Sequence, residues 1–308
     1  MAPVAGHEHA RARLIWTGLQ KFRIQDRDEV WAAAQRDPEV LRHRIDGHFV
    51  DILTQTAGLI DHWDVVNEPY TQHEMLDLLG RDEMVHWFEL ARKHAPDAGL
   101  FLNDFGILAS SGVDFEKQQF MLDTARFLRD RGAPITAIGF QAHMGQGLTP
   151  PTRVLGILDR FAELDLPIMI TEYDVTVPDA QTQERYTRDF MAAVFSHPSV
   201  NGFTTWGFWE PVMWAGRSAM YDRDWNLMPV GRAYRGLVLG EWLTHASGHT
   251  DATGRLTVRG FHGDYTIQID PGRDQPSQLV AVTLPPEGTQ VSVDLAADRL
   301  RVEIRSND

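Results

Sequence analysis

A chain of 308 residues with 43% apolar and 23% charged content has the make-up of a soluble globular protein, long enough to bury a substantial core. A net charge of −14, spread along the chain, disfavours nucleic acid and anionic membrane surfaces as partners. The absence of cysteine excludes disulfides and thiolate chemistry. There is no run of about 18 apolar residues to span a membrane, and residues 1–9 have neither the basic nor the apolar segment of a signal peptide.

In chain order, short apolar runs alternate with longer amphipathic stretches. Leu14-Ile15-Trp16 reads as a first strand. Asp37-Pro38 then supplies an N-cap and a first-turn proline for a helix whose Leu41, Ile45, Phe49 and Leu53 share one face. Trp63 to Val66 is the next strand, closed by Pro69, which cannot join a ladder. Asp82 starts a helix carrying Val85, Phe88 and Leu90, and Leu100 to Leu102 is a strand ending in Asn103-Asp104. A helix over 115–128 with Gly132 beyond it precedes a strand at 137–140, which ends in Gln141-Ala142-His143. Pro150-Pro151 open a helix to Leu164, Pro167 to Ile170 is a strand, 182–195 a helix, 203–206 a strand and 229–243 a final helix.

Strand-helix alternation with short connections predicts a parallel α/β fold. Polar residues lie just past the carboxyl end of strand after strand, which favours a (β/α) barrel over a doubly wound sheet with one switch point. Six strand-helix units are legible where a closed barrel needs eight. Past Leu243, turn clusters separate short alternating runs at 256–258, 265–267 and 279–282, the pattern of a small all-β module. The expected domains are therefore an incomplete barrel over 1–244 and a β-rich module over 245–308, with one loose loop at 270–277.

Two strand-end carboxylates stand out, Glu68 in Asn67-Glu68-Pro69 and Glu172 in Thr171-Glu172-Tyr173-Asp174. Such a pair is what glycoside hydrolysis requires. A lone glutamate is far more often a helix cap or an ion-pair partner, but two at matching strand ends shift the balance. His143 lies where it can donate to Glu172 and be supported by Asp174, although an isolated histidine is usually structural. Trp206 and Trp214 follow the last strand; core packing and sugar stacking are about equally good explanations for them. Trp209 and Trp225 are weaker candidates.

The stretches Trp63-Asp-Val-Val-Asn-Glu68, Leu102-Asn-Asp-Phe105, Ile138-Gly-Phe-Gln-Ala-His143, Ile170-Thr-Glu-Tyr-Asp174 and Thr205-Trp-Gly207 resemble, in order and spacing, the strand-end motifs of glycoside hydrolase family 10, the retaining endo-β-1,4-xylanases. The resemblance covers roughly residues 12–243. It implies a (β/α)8 TIM-barrel fold, Glu68 as general acid/base, Glu172 as nucleophile, His143 orienting Glu172, and Asp174 supporting His143. It further implies substrate contacts from Asn67, Gln141, Trp206 and Trp214, with no metal and no organic cofactor. The substrate would be xylan or a related β-1,4-linked polysaccharide, and the location secreted or periplasmic.

Two departures accompany the resemblance. The first two strand-helix units, with a Glu-Asn-x-x-Lys motif that binds the non-reducing side of the substrate, have no counterpart here. Ala12 also stands where the third strand usually carries histidine, unless Gly6-His7 supplies it across an insertion. Alternatives are therefore another β-1,4-glycanase, such as a glucanase, or a catalytically impaired carbohydrate-binding fragment. Exposed barrel edges would favour self-association.

Overall fold

The computed structural model describes residues 10–21, 26–145, 147–270, 277–285, 288–294 and 301–306. Gly6, His7 and most of the loop expected at 270–277 lie outside these residues. The chain divides into two compact units, Met1–Tyr234 and Arg235–Asp308. Among the described residues no helix is long and apolar enough to cross a membrane.

The first unit runs β1 (Arg11–Trp16), α1 (Arg27–Ala34), α2 (Glu39–Gln55), β2 (His62–Asn67), α3 (Glu74–Leu79), α4 (Glu83–His94), β3 (Gly99–Asp104), α5 (Phe115–Asp130), β4 (Ala137–Phe140), β5 (His143–Met144), α6 (Pro151–Ala162), β6 (Ile168–Val175), α7 (Ala180–Ser196) and β7 (Val200–Thr205), with α8 (Pro229–Gly236) at its end. All strand pairs in this unit are parallel, in the order β1-β2-β3-β4-β6, with β7 beside β6 and the two-residue β5 on the far end of β6. The fold is the parallel strand-helix architecture of the barrel class. Its sheet is open: among the described residues β1 and β7 end it and no ladder joins them.

Parallel strands covered on both faces must be apolar along their length, and β2, β3 and β4 are buried almost throughout. Their registers align Trp16 with Asn67, Asn67 with Asn103, and Asn103 with Gly139. The residues just past those positions therefore emerge on one rim.

The helices cover the sheet through the faces their periodicity dictates. On α2, Leu41, Ile45, Phe49 and Leu53 are all buried, each worth about 1.5–3 kcal/mol of transfer free energy. Asp37 Oδ1 accepts the Glu39 amide at 3.1 Å, an N-cap one residue before the proline. On α5 Asp114 accepts the Lys117 amide at 3.2 Å, and Gly132 ends the turn at φ +75°, a conformation that favours glycine.

Three expectations are corrected. The buried face of α4 is Met84, Trp87, Phe88 and Ala91, while Val85 and Leu90 are only half-buried. The final helix is α-helical only to Gly236 and continues as a π turn over Leu237–Glu241 rather than as regular helix to 243. The run at 256–258 forms no strand; Leu256 and Val258 are exposed, and alternation alone does not order a strand that no neighbour pairs. The second unit contains β8 (Gly263–Ile269) paired antiparallel with β9 (Gln278–Leu284), and β10 (Thr289–Asp294) paired antiparallel with β11 (Arg301–Ser306).

Candidate active site

Glu68 follows the last residue of β2. Its backbone sits at φ +57°, unusual for a non-glycine residue. Its amide still donates to the Asn103 carbonyl at 2.9 Å. The left-handed turn thus leaves the strand while keeping its ladder bond, and Pro69 prevents a return to the sheet. Glu68 Oε1 accepts from Gln141 Nε2 at 3.1 Å and from Asn67 Nδ2 at 3.2 Å.

Glu172 lies in β6 and is 8% exposed. Its amide bonds the Gln141 carbonyl at 3.1 Å, which brings the ends of β4 and β6 level. Asn103 joins the two carboxylates. Its Nδ2 faces Glu172 Oε1 at 3.3 Å and Asn67 Oδ1 at 2.9 Å, and its Oδ1 accepts from the Thr171 hydroxyl at 2.8 Å. Gln141 Nε2 reaches Asn67 Oδ1 at 3.3 Å. Glu68 and Glu172 are therefore linked through a buried net of three amides, from Asn67, Asn103 and Gln141. Buried amides bonded on both ends hold one geometry.

Ala142 takes φ +60° between Gln141 and His143, and the chain then re-enters the sheet at His143, opposite Asp174. The imidazole bridges two carboxylates: Nδ1 lies 2.9 Å from Asp174 Oδ2 and Nε2 lies 3.5 Å from Glu172 Oε2. Burial by itself would lower the His143 pKa. The hydrogen bonds and charges of Asp174 and Glu172 outweigh it and raise the pKa to about 9. His143 is thus an imidazolium at neutral pH, donating from both nitrogens. Trp214 Nε1 donates to the same Asp174 oxygen at 3.0 Å. The rings of Trp206 and Trp214 stand edge-on to the His143 ring, at centroid distances of 6.1 and 5.7 Å. Glu68, Glu172, His143, Asp174, Asn67, Gln141, Trp206 and Trp214 are thus brought together at one rim, while Trp209 and Trp225 stack on each other apart from it.

The structure adds three residues beneath this rim. Asp64, inside β2, pairs with Arg11 of β1 and lies 3.4 Å from Asn103 Nδ2. Burial raises its pKa to about 7 against the pull of Arg11. The Arg11 guanidinium lies 4.4 Å from the centre of the Phe101 ring. A carboxylate within an otherwise apolar strand was the available signal, since a buried charge needs a partner. Asn103 was also visible, as a strand-end amide matching Asn67. Nearby, Asp104 pairs with the buried Lys117 at 2.9 Å; burial raises its pKa to about 6, against the lowering effect of Lys117.

Among the described residues one group of side chains has metal-ligand spacing, Asp46, Glu83 and His86. It lies on α2 and α4, away from the strand ends, and is held by its own bonds, His86 to Asp46 at 2.9 Å and Arg42 to Glu83 at 2.8 Å.

The arrangement offers one carboxyl backed by a cation and an amide, beside a second carboxyl held by two amides. One can attack an electrophilic carbon while the other moves a proton.

Comparison with known proteins points the same way. The family model described as Glycosyl hydrolase family 10 matches residues 13–236. The chain is 34% identical over 239 residues to the Anti-sigma-I factor RsgI6 of Acetivibrio thermocellus, covering 77% of this chain and 30% of that protein. It is 31% identical over 230 residues to Endo-1,4-beta-xylanase 1 of Arabidopsis thaliana, covering 74% and 24%. The chain thus spans less than a third of the length of these two relatives. Among solved structures, a thermostable mutant of a xylanase (Xyn10A) from Cellvibrio japonicus matches with a TM-score of 0.62 at 20% identity, covering 75% of this chain and 78% of that one. Native xylanase 10B from Thermotoga maritima matches with a TM-score of 0.58 at 24% identity, covering 66% and 68%. At these identities the two structures bear on the fold.

Proposed function

The chain belongs to glycosyl hydrolase family 10, and from that premise we propose that it is a retaining endo-1,4-β-xylanase acting by double displacement. The observation that supports this most is the pair Glu68 and Glu172, joined through three buried amides and flanked by the His143 imidazolium. In the first step Glu172 Oε attacks the anomeric carbon while protonated Glu68 donates to the departing glycosidic oxygen. The bond to the leaving sugar breaks as the ester bond to Glu172 forms. In the second step Glu68 takes a proton from water, whose oxygen displaces Glu172, and the product keeps the starting anomeric configuration.

His143 holds Glu172 ionised and oriented for attack, and Asp174 holds His143 charged. Asn67 hydrogen-bonds the hydroxyl next to the anomeric centre, Gln141 positions Glu68, and Trp206 and Trp214 wall the sugar. The substrate is xylan, a polymer too large to cross a membrane, which supports action outside the cytoplasm, secreted or periplasmic. Reducing-sugar release from xylan and from carboxymethylcellulose tests the reading, with Glu68→Gln and Glu172→Gln as controls. Release from xylan that both substitutions abolish supports it, and faster release from carboxymethylcellulose transfers the activity to a β-1,4-glucanase.

A second reading, binding without turnover, is favoured by one relative's being named an anti-sigma-I factor and by the open sheet. It predicts saturable binding of xylooligosaccharides by the unmutated chain, with no new reducing ends.

A further inference from the structure

Between β7 and α8 lies a cluster of aromatic rings that the cleavage site does not use. Trp225 is 59% exposed although indole is among the costliest side chains to leave in water. Its backbone sits at φ +65°, a conformation rare for a bulky residue and kept only where surrounding structure enforces it.

That enforcement is visible. Asp222 Oδ1 accepts the amides of Asp224 at 2.9 Å and Asn226 at 2.8 Å, and its Oδ2 accepts from Asn226 Nδ2 at 3.0 Å. The Asp222 amide closes the turn on the Asn226 carbonyl at 3.0 Å. Trp209 stacks on Trp225 with ring centres 5.7 Å apart and planes 14° from parallel, and its Nε1 donates to the Arg223 carbonyl at 3.3 Å. Tyr221 and Phe208 brace Trp225 from 5.9 and 6.1 Å. Trp209 thus stacks along the Trp225 indole, and more than half of the Trp225 side chain stays exposed.

We propose that the exposed indole of Trp225 is a carbohydrate-binding platform that stacks a xylosyl ring of the polysaccharide outside the cleavage point. A pyranose presents an apolar C–H face that packs on an indole, whose negative π face attracts the polarised hydrogens. Its hydroxyls then project from the ring edge, where Arg223, Asp224 and Asn226 are all exposed and polar. Packing is a poor account of the cluster, because a ring placed there for the core would be buried. The same loop carries Trp206 and Trp214, whose rings border His143, so a chain held at the cleavage point has this loop beside it. The strained backbone at Trp225 fixes the indole before the sugar arrives, which lowers the ordering cost of binding.

The inference deepens the xylanase reading and rests on its substrate class. The test is calorimetric titration with xylohexaose and with xylobiose, in a Glu68→Gln background that prevents cleavage. Trp225→Ala is expected to weaken xylohexaose binding about tenfold and to leave xylobiose binding unchanged. Trp225→Phe is expected to restore most of the loss, which a misfolded loop would not allow. The indole absorption shift on adding xylohexaose is expected to shrink in Trp225→Ala. Unchanged xylohexaose affinity in Trp225→Ala, an equal loss for both sugars, or preference for cellohexaose over xylohexaose would each overturn the proposal. Turnover of xylan by the unmutated chain is scored separately. Xylohexaose binding through Trp225 without turnover sinks the enzyme reading alone, and turnover with an idle Trp225 sinks this one alone.

Discussion

Replacing Asp174 with Asn removes one charge and little volume, at the residue that sets the protonation of His143. Asp174 is buried and its Oδ2 accepts from both His143 Nδ1, at 2.9 Å, and Trp214 Nε1, at 3.0 Å. An amide oxygen keeps both acceptor roles, so the geometry survives and the charge does not. In the parent, burial disfavours the imidazolium, but Asp174 and Glu172 together raise its pKa from 6.5 to about 9. That difference corresponds to about 3 kcal/mol favouring the protonated form. Without Asp174 the burial remains and only Glu172 opposes it, so the pKa falls back toward 6.5.

The sign for stability follows. A histidine whose folded pKa is raised contributes fully below 6.5, and the contribution is lost as pH rises through about 9. In Asp174→Asn that loss moves to lower pH. Neutral His143 bonded through Nδ1–H also turns the Nε2 lone pair toward the Glu172 carboxyl, so the donor that faces Glu172 in the parent is lost. The pH at which His143 loses its proton should therefore be lower in the variant than in the parent, and kcat above that pH should fall further in the variant. The assay is an NMR titration of the His143 imidazole, which needs no turnover, together with kcat for an aryl β-xylobioside from pH 5 to 10. A His143 titration that coincides in parent and variant would refute the reasoning.

Two further predictions concern the net below the rim. A Cβ at Gly139 would meet Asn103 Oδ1 and the Thr171 methyl well inside van der Waals contact, so Gly139→Ala should displace Asn103 and cut kcat by about tenfold or more, for a loss of about 1–3 kcal/mol in urea unfolding; parent-like kcat would show that Asn103 is not needed where it stands. Lys117 is 2% exposed and pairs with the buried Asp104, so Lys117→Met should leave an uncompensated carboxylate and cost about 3–5 kcal/mol at neutral pH. Lys117 lowers the Asp104 pKa, so without it that pKa rises above 6 and the deficit should shrink as pH falls toward 6; a pH-independent deficit would contradict that origin.

The rim was legible because the chemistry of a parallel sheet is written at its strand ends. Asn67, Glu68, Gln141, His143, Glu172 and Asp174 each follow or end a short apolar run, and the sequence order of those runs is the spatial order of the strands. The α2 face was equally clear, four apolar residues at helical spacing with nothing to compete. On α4 Phe88 shares its buried stripe with Met84, Trp87 and Ala91, while the equally apolar Val85 and Leu90 lie at its margins, so apolar character alone does not mark the face. Helices α1 and α3 left weaker signals: α1 buries only Ala34, and α3 is six residues long.

What lay below the rim was harder to see for a different reason. Asp64, Arg11 and Asn103 act through one another across β1, β2 and β3, and no local pattern states which buried polar groups meet. The left-handed turns at Glu68, Ala142 and Trp225 fall on residues that do not favour them. They come from tertiary contacts rather than from local propensity.

The central claim is that Glu172 forms the covalent bond to the sugar, and trapping tests it most directly. A 2-deoxy-2-fluoro xylobioside with a good leaving group slows both steps, the second more, so the glycosyl-enzyme accumulates and can be digested and weighed. The expected result is one sugar per chain on the peptide containing Glu172, none in Glu172→Gln, and β-configured product at first turnover of natural xylooligosaccharides. A label on any other residue, or α-configured product with no label, would contradict the account.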